Sequence, residues 1–373
     1  MLPCSLFAAL LLIPLLCGLR AEGGGDFTPL VSDSLRPQDP TDFPYRREAV
    51  RFPGGAPGVE LAGELTVPDS GAIRAVAILL TGSGPQDRNE DLGPHINHRP
   101  FLVLSDYLTR RGYGVLRYDD RGVGESSGRF SGATSADFAA DAAAAVAYLR
   151  HLPDVQHLPL GLIGHSEGGL IAPMVVASGA AVDYLILLAA PGLPIDSLML
   201  EQRRMIAGQT TPDEPVVRGA FTFVRRHPEL DSATFVAGLQ DTILSLLPQL
   251  APPVRASISD PELFAATYAR GLSSAWFRYF LSLDPADYLS QVSVPVLALN
   301  GEKDLQVSPG NLTALEESLT RAGNLEVTAI VLPGLNHLFQ PATTGHPAEY
   351  GAIETTLAPE VLQRIADWLD NRF

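Results

Sequence analysis

The chain has 373 residues, 46% of them apolar and 18% charged, which supplies a large buried core and excludes a disordered polymer. Its formal net charge is −16 and no run of Lys or Arg could follow a phosphate backbone, so nucleic acid is excluded as a partner. Both cysteines, Cys4 and Cys17, lie close to the N-terminus, so residues 22–373 contain no disulfide, thiolate metal site or cysteine nucleophile.

Residues 6–19 form an uncharged apolar run of about 14 residues, followed by Arg20 and Ala21. A spanning helix needs roughly 20 such residues. Residues 1–21 are therefore expected to be a signal peptide, giving an exported protein, periplasmic or secreted, with no stable membrane span after processing. No cation precedes the run, and Leu19 stands where a small residue is usual before a cleavage point. An uncleaved membrane anchor is thus the competing expectation. Residues 22–46, rich in Gly, Pro, Asp and Ser, read as a loosely held lead-in to one domain over 47–373.

The domain begins with two expected strands, Glu48–Phe52 and Val59–Val67, joined by a Gly/Pro turn, and a buried strand at Arg74–Leu80. Residues 100–111 predict an amphipathic helix stopped at Gly112, Tyr113–Tyr118 a strand, and 135–151 a helix capped by Ser135. Four more short apolar strands are expected at 158–163, Tyr184–Leu188, Val296–Leu299 and Leu325–Leu332, and a last helix at about 359–370. Strands alternating with helices imply an α/β fold, a mostly parallel central sheet with helices on both faces. Residues of about 193–288 break the rhythm, with helix-like pieces near 196–208, 214–226, 231–247, 261–270 and 273–281. They predict a helical cap insertion.

The strongest local signal is Gly164-His165-Ser166-Glu167-Gly168-Gly169, which follows a strand and opens an apolar helix. That is the context of a G-x-S-x-G elbow, in which a sharp strand-to-helix turn presents the serine Oγ at the sheet's carboxyl edge. The helix start also places the Glu167 N–H where it can stabilise an oxyanion. A serine hydroxyl needs a base, and the base needs an acid to orient it. Asp304, after the strand at Val296, and His337, after the next strand, come in the order acid then base and land on the same edge. Glu302 and His346 are the rival acid and base. In Thr81-Gly82-Ser83-Gly84-Pro85, the Ser83 N–H is the candidate second oxyanion donor, with Gly82 as the alternative.

Other polar groups read as structural. Asp120 and Arg121 are expected to form an ion pair holding their loop, and Asp87, Arg88, Asn89 and Glu90 a salt-bridged cluster. The side chains of His165 and Glu167 are expected to be structural too. His95 and His98 lack a carboxylate pattern that would mark a metal site.

GSGPQDRNED at 82–91, RYDDRGVGES at 117–126, GHSEGG, NGEKDLQVSP at 300–309 and GLNHLFQ at 334–340 together resemble the α/β-hydrolase superfamily. They are most similar to its bacterial carboxylesterase branch resembling esterase D, often grouped with serine aminopeptidase-like hydrolases. The resemblance runs from about residue 47 to the C-terminus and departs from the branch at Asn89, where an acid is usual. It implies Ser166 as nucleophile, Asp304 as acid, His337 as base and a helical cap over an acyl pocket. The expected reaction is cleavage of a small-molecule carboxylic ester, short- to medium-chain, through an acyl-enzyme, with no cofactor or metal. Aromatics at Phe221, Phe223, Trp276, Phe277 and Phe280 are expected in the cap core rather than the pocket wall. A serine exopeptidase or amidase is the alternative, for which cap acids such as Asp213, Glu214, Glu229 and Asp231 would hold a free amine. A binding protein that keeps the fold without catalysis is the third reading, and it would be expected to have lost a member of the triad.

Overall fold

Five adjacent strands of one sheet are buried at every residue: β3 (Val76–Leu80), β4 (Gly114–Tyr118), β5 (Leu160–His165), β6 (Tyr184–Leu188) and β7 (Val296–Gly301). Apolar runs without polar alternation are stable in this way only where both faces of a sheet are covered. The computed structural model describes residues 35–69, 71–208 and 211–373. The remaining strands are β1 (Tyr45–Pro53), β2 (Glu60–Pro68) and β8 (Val327–Leu332). The strand order is β1-β2-β4-β3-β5-β6-β7-β8. The first two pairings, β1 with β2 and β2 with β4, are antiparallel, and all later ones are parallel.

The period-2 geometry of the strands divides the core in two. Ile78, Leu80, Leu185 and Leu187 face a layer made by α2 (Ser135–His151), α3 (Glu167–Ala177) and α11 (Pro309–Arg321). Ala77, Leu79, Ile186 and Leu188 face the opposite layer, made by α1 (Pro100–Thr109) and α12 (Pro359–Asp370). After β3 the chain moves to one side of the sheet and returns at β5 to build the other. The carboxyl ends of β3 and β5 therefore flank the switch point where open α/β sheets hold their ligands.

Between β6 and β7 the chain forms its own helical layer. The main helices are α4 (Ile195–Ala207), α5 (Glu214–Arg226), α6 (Ser232–Leu246), α8 (Pro261–Gly271) and α9 (Ala275–Ser282). Short α7 (Pro252–Ala256) and α10 (Ala286–Leu289) complete it. Val217, Phe221, Phe235, Leu239, Phe277 and Leu281 form a third apolar core, which reaches the sheet layer through Leu170 and Met174 of α3.

Three local expectations are corrected. Helix α2 is capped by Thr134, which shares a reciprocal capping box with Asp137, while the Ser135 hydroxyl donates instead to Glu167 Oε1 at 2.6 Å. Arg121 does not pair with Asp120. Its guanidinium forks onto Asp141 at 2.6 and 2.9 Å and reaches Asp137, while Asp120 accepts from Thr81 Oγ1 and the Gln86 N–H. Finally, residues 35–44 are not loose. The Arg36 side chain donates to the carbonyls of Ile96, Asn97, Gly351 and Ile353, and buried Asp39 pairs with Arg99 at 2.6 Å. The signal-peptide reading, and the lead-in up to residue 34, lie outside the described residues. No helix among the described residues is long and apolar enough to cross a membrane.

Arg121 and Asp141 are both buried, and removing one partner of such a pair leaves the other charge without compensation. Arg121→Met is expected to lower unfolding free energy by about 3–5 kcal/mol in urea titrations. A change near zero would show that the pair does not hold the 119–124 loop to α2.

Candidate active site

The turn from β5 into α3 is set by backbone packing. Ser166 sits at φ 52° and ψ −117°, a conformation L-residues rarely adopt and one costing about 1–3 kcal/mol. Its N–H donates to Leu188 O at 2.9 Å, so the ladder with β6 continues into the turn. A Cβ on Gly164 would lie 2.1 Å from Gly168 O, and one on Gly168 would lie 2.1 Å from Leu80 O. Only glycine fits at either position, which is why the pentapeptide has this spacing.

Asp304 leaves the turn after β7 and has no exposed surface. Its Oδ1 accepts from the N–H groups of Gln306 (2.8 Å) and Val307 (2.9 Å), and its Oδ2 accepts from His337 Nδ1 at 2.8 Å. A carboxylate only accepts, so the proton lies on Nδ1 and Nε2 is left as the basic nitrogen. Behind His337 the loop is fixed by buried Asn336, whose Oδ1 accepts from Leu338 N and Gln340 N. The rival residues are engaged elsewhere. Glu302 accepts from Gly334 N, and His346 accepts from Ala348 N to cap a short 3-10 turn. His98 is bound to Thr356 Oγ1 and Ile353 O, and no cluster that could hold a metal ion occurs among the described residues.

Ser166, His337, Ser83, Gly82 and Glu167 line one cavity of about 110 Å³. Its apolar wall comes from Leu92, Ile96, Leu198, Met199, Phe280 and Leu338. Phe221 and Phe277 lie in the cap core, whereas Phe280 reaches the cavity. Glu167 is the first residue of α3, directly after Ser166, so its N–H has no partner inside the helix. The alternative donor is taken: Gly82 N–H donates to Glu90 Oε1 at 2.7 Å.

Two side chains that read as inert flanks in the sequence have defined partners here. Glu167 is buried and accepts from Ser135 Oγ, from Ser83 and from the cap's Trp276 Nε1 at 2.9 and 3.1 Å. Burial raises its pKa, and these hydrogen bonds only partly offset that. His165 Nδ1 meets Glu90 Oε1 at 2.9 Å, and its Nε2 donates to His337 O at 3.0 Å. Burial alone would lower the proton affinity of His165, but the Glu90 carboxylate and the His337 carbonyl hold it above the usual histidine value. The sequence carries both members of this pair, but their separation of 75 positions conceals the contact.

A histidine with a raised folded pKa contributes stability that is complete below its unfolded value, about 6.5, and is lost as pH rises through the folded value. The Glu90→Gln variant loses the carboxylate responsible. The gap in thermal midpoint between the parent and this variant should therefore shrink as pH rises from about 6 to about 9. A gap independent of pH would show that His165 is not charged in the folded protein.

Residues 98–235 match the family described as serine aminopeptidase, S33. The chain is 24% identical over 313 residues to Esterase EstD of Thermotoga maritima, covering 83% of this chain and 65% of the esterase. It thus spans just under two thirds of that relative's length. It is also 28% identical over 248 residues to a non-heme haloperoxidase of Rhodococcus erythropolis, covering 62% of this chain and 78% of the other. Among solved structures, the Pyrococcus furiosus esterase Pf2001 is similar with a TM-score of 0.52 at 17% identity, over 94% of this chain and 98% of that one. At that identity the likeness speaks for the fold alone. Strand order, elbow geometry and the solved neighbours agree, and the chain has the α/β-hydrolase fold.

Proposed function

We propose that the protein is a serine hydrolase that cleaves carboxylic esters with short- to medium-chain acyl groups through an acyl-enzyme. One observation carries this reading: a buried Asp304–His337 hydrogen bond of 2.8 Å opens onto the same cavity as a serine held at φ 52°. In the reaction, Ser166 Oγ forms a bond to the acyl carbon as His337 Nε2 takes its proton. The carbonyl electrons move to oxygen, which the Ser83 and Glu167 N–H groups stabilise. Collapse breaks the bond to the alcohol oxygen, which receives the proton from His337. Water then repeats the sequence to release the acid.

The cavity wall supports an acyl substrate, since Leu92, Ile96, Leu198, Met199, Phe280 and Leu338 give the space beside Ser166 an apolar lining. Related esterases favour esters as the substrate class, and an alkoxide leaving group asks less of the site than an amine does. The exopeptidase reading is weaker, because the cap acids proposed to hold an amine have other partners. Asp213 pairs with Arg203 and Glu214 with Arg204 and Arg218, while Asp231 caps α6 and Glu229 lies beside His227 at the surface.

A fluorophosphonate probe should label the protein, and Ser166→Ala should abolish labelling and lower kcat by about 10⁴- to 10⁶-fold. Labelling that survives the substitution would remove Ser166 from the mechanism. Acetyl to octanoyl p-nitrophenyl esters should exceed palmitoyl esters in kcat/KM by at least about tenfold, with aminoacyl anilides slower still. Anilide turnover equal to ester turnover would favour the peptidase reading instead.

A further inference from the structure

The hydrolase reading uses five groups at the cavity and leaves Glu90 and His165 without a part. Both are buried, with Glu90 only 2% exposed, and neither contacts a surface ion pair. Glu90 holds a backbone φ of 54°, unfavourable for a residue with a side chain. Its loop is nonetheless rigid. Asp87 Oδ1 accepts from the N–H groups of Asn89 and Asp91, Arg88 forks onto Asp119, and Asn89 O accepts from Phe101 N at the start of α1. A strained backbone kept in place by so many neighbours marks a carboxylate whose position is being fixed.

That carboxylate joins three loops that the chain brings together from distant positions. Glu90 Oε1 accepts from Gly82 N–H at 2.7 Å, in the loop that presents Ser83. The same oxygen meets His165 Nδ1 at 2.9 Å, on the residue before the nucleophile. His165 Nε2 then donates to the main-chain carbonyl of His337 at 3.0 Å, and the two imidazole rings lie 4.9 Å apart. The groups converge at Gly82. A Cβ there would stand 3.3 Å from Glu90 Oε1, 3.3 Å from Ser166 Cβ and 3.6 Å from His165 Nδ1.

We infer that Glu90 and His165 are positioning residues that lock the oxyanion loop, the nucleophile's turn and the backbone of the base into one register. The inference rests on the hydrolase reading above. Because Gly82 N–H is held by Glu90, it cannot turn toward the substrate, and the loop presents Ser83 at the nucleophile. Because His165 holds the His337 carbonyl, the base cannot drift from Ser166 when the Asp304 bond flexes. The effect belongs to the transition state, where oxyanion donors and base must both be in place, and not to binding of the ground-state ester.

The test compares Glu90→Ala and Glu90→Gln with the parent, with rates normalised to active sites titrated by fluorophosphonate so that misfolded protein does not count. Misplacing catalytic groups by about 1 Å costs about 100-fold. Glu90→Ala should therefore lower kcat per titrated site by about 100-fold and weaken a boronic-acid transition-state analogue comparably, with KM changed by less than about threefold. With its carbonyl oxygen in the place of Glu90 Oε1, glutamine can still accept from Gly82 N–H and from a His165 Nδ1–H, so Glu90→Gln should recover kcat to within about fivefold of the parent. Parent-like kcat in Glu90→Ala, a loss confined to KM, or a glutamine variant as impaired as alanine would each overturn the inference. Failure of the parent to be labelled at all is a separate result, and it would overturn the hydrolase reading together with everything built on it.

Discussion

Holding Ser166 in a left-handed turn between a strand and a helix is the constraint from which the rest of the site follows. The conformation is unfavourable by about 1–3 kcal/mol on its own, and it persists because the ladder to β6 continues through the Ser166 N–H. The turn also needs its neighbours to have no side chains. Gly164 lies against the backbone of Gly168, and Gly168 lies against the carbonyl of Leu80. The second contact brings the end of β3, and so the Gly82–Ser83 loop, to within reach of the serine. One packing requirement thereby fixes the direction of the Oγ, the start of α3 and the approach of the loop opposite.

Three buried acids meet around this turn, and each is accommodated differently. Asp304 accepts two backbone N–H groups and an imidazole N–H. Glu90 accepts a backbone N–H and faces a second imidazole. Glu167 has only neutral donors, from Ser135, Ser83 and Trp276, and burial accordingly raises its pKa. Each of the three carboxyl groups is thus held by a different set of partners. Two of the acids hold histidines: Asp304 holds the imidazole of His337, and Glu90 that of His165, which reaches the His337 carbonyl. The third ties the nucleophile's helix to the cap.

The cap depends on the same turn. Its helices have an apolar core of their own, but Leu170 and Met174 extend that core from α3, and Trp276 reaches Glu167 beside the nucleophile. A stacked Trp276–Phe280 pair, with ring centroids 4.9 Å apart, then carries Phe280 to the cavity wall. The wall of the cavity is therefore set in part by how the cap rests on the residue next to the serine.

Much of this was legible in the sequence, where the signal was local. Short apolar runs marked the strands, because a strand buried on both faces needs no polar alternation, and α12 falls on the predicted 359–370. The elbow could be read because its glycines answer a steric demand made within five residues. Asp304 and His337 could be named because each follows its own strand. Helix α2 had the predicted bounds but not the predicted cap, since Thr134 and Ser135 both qualify locally and a distant Glu167 takes the second. Arg121 chose Asp141 over its neighbour Asp120 because a planar guanidinium needs a carboxylate it can meet with two nitrogens, and α2 supplies one. The same holds for Glu90 with His165 and for Arg36 with the 351–353 carbonyls. By itself the sequence determined which residues could be strand, turn, nucleophile, acid and base, because those depend on near neighbours. Only the tertiary structure decided how the buried charges pair and that Glu90 holds the Gly82 N–H, because those choices are made across loops that meet only once the sheet has formed.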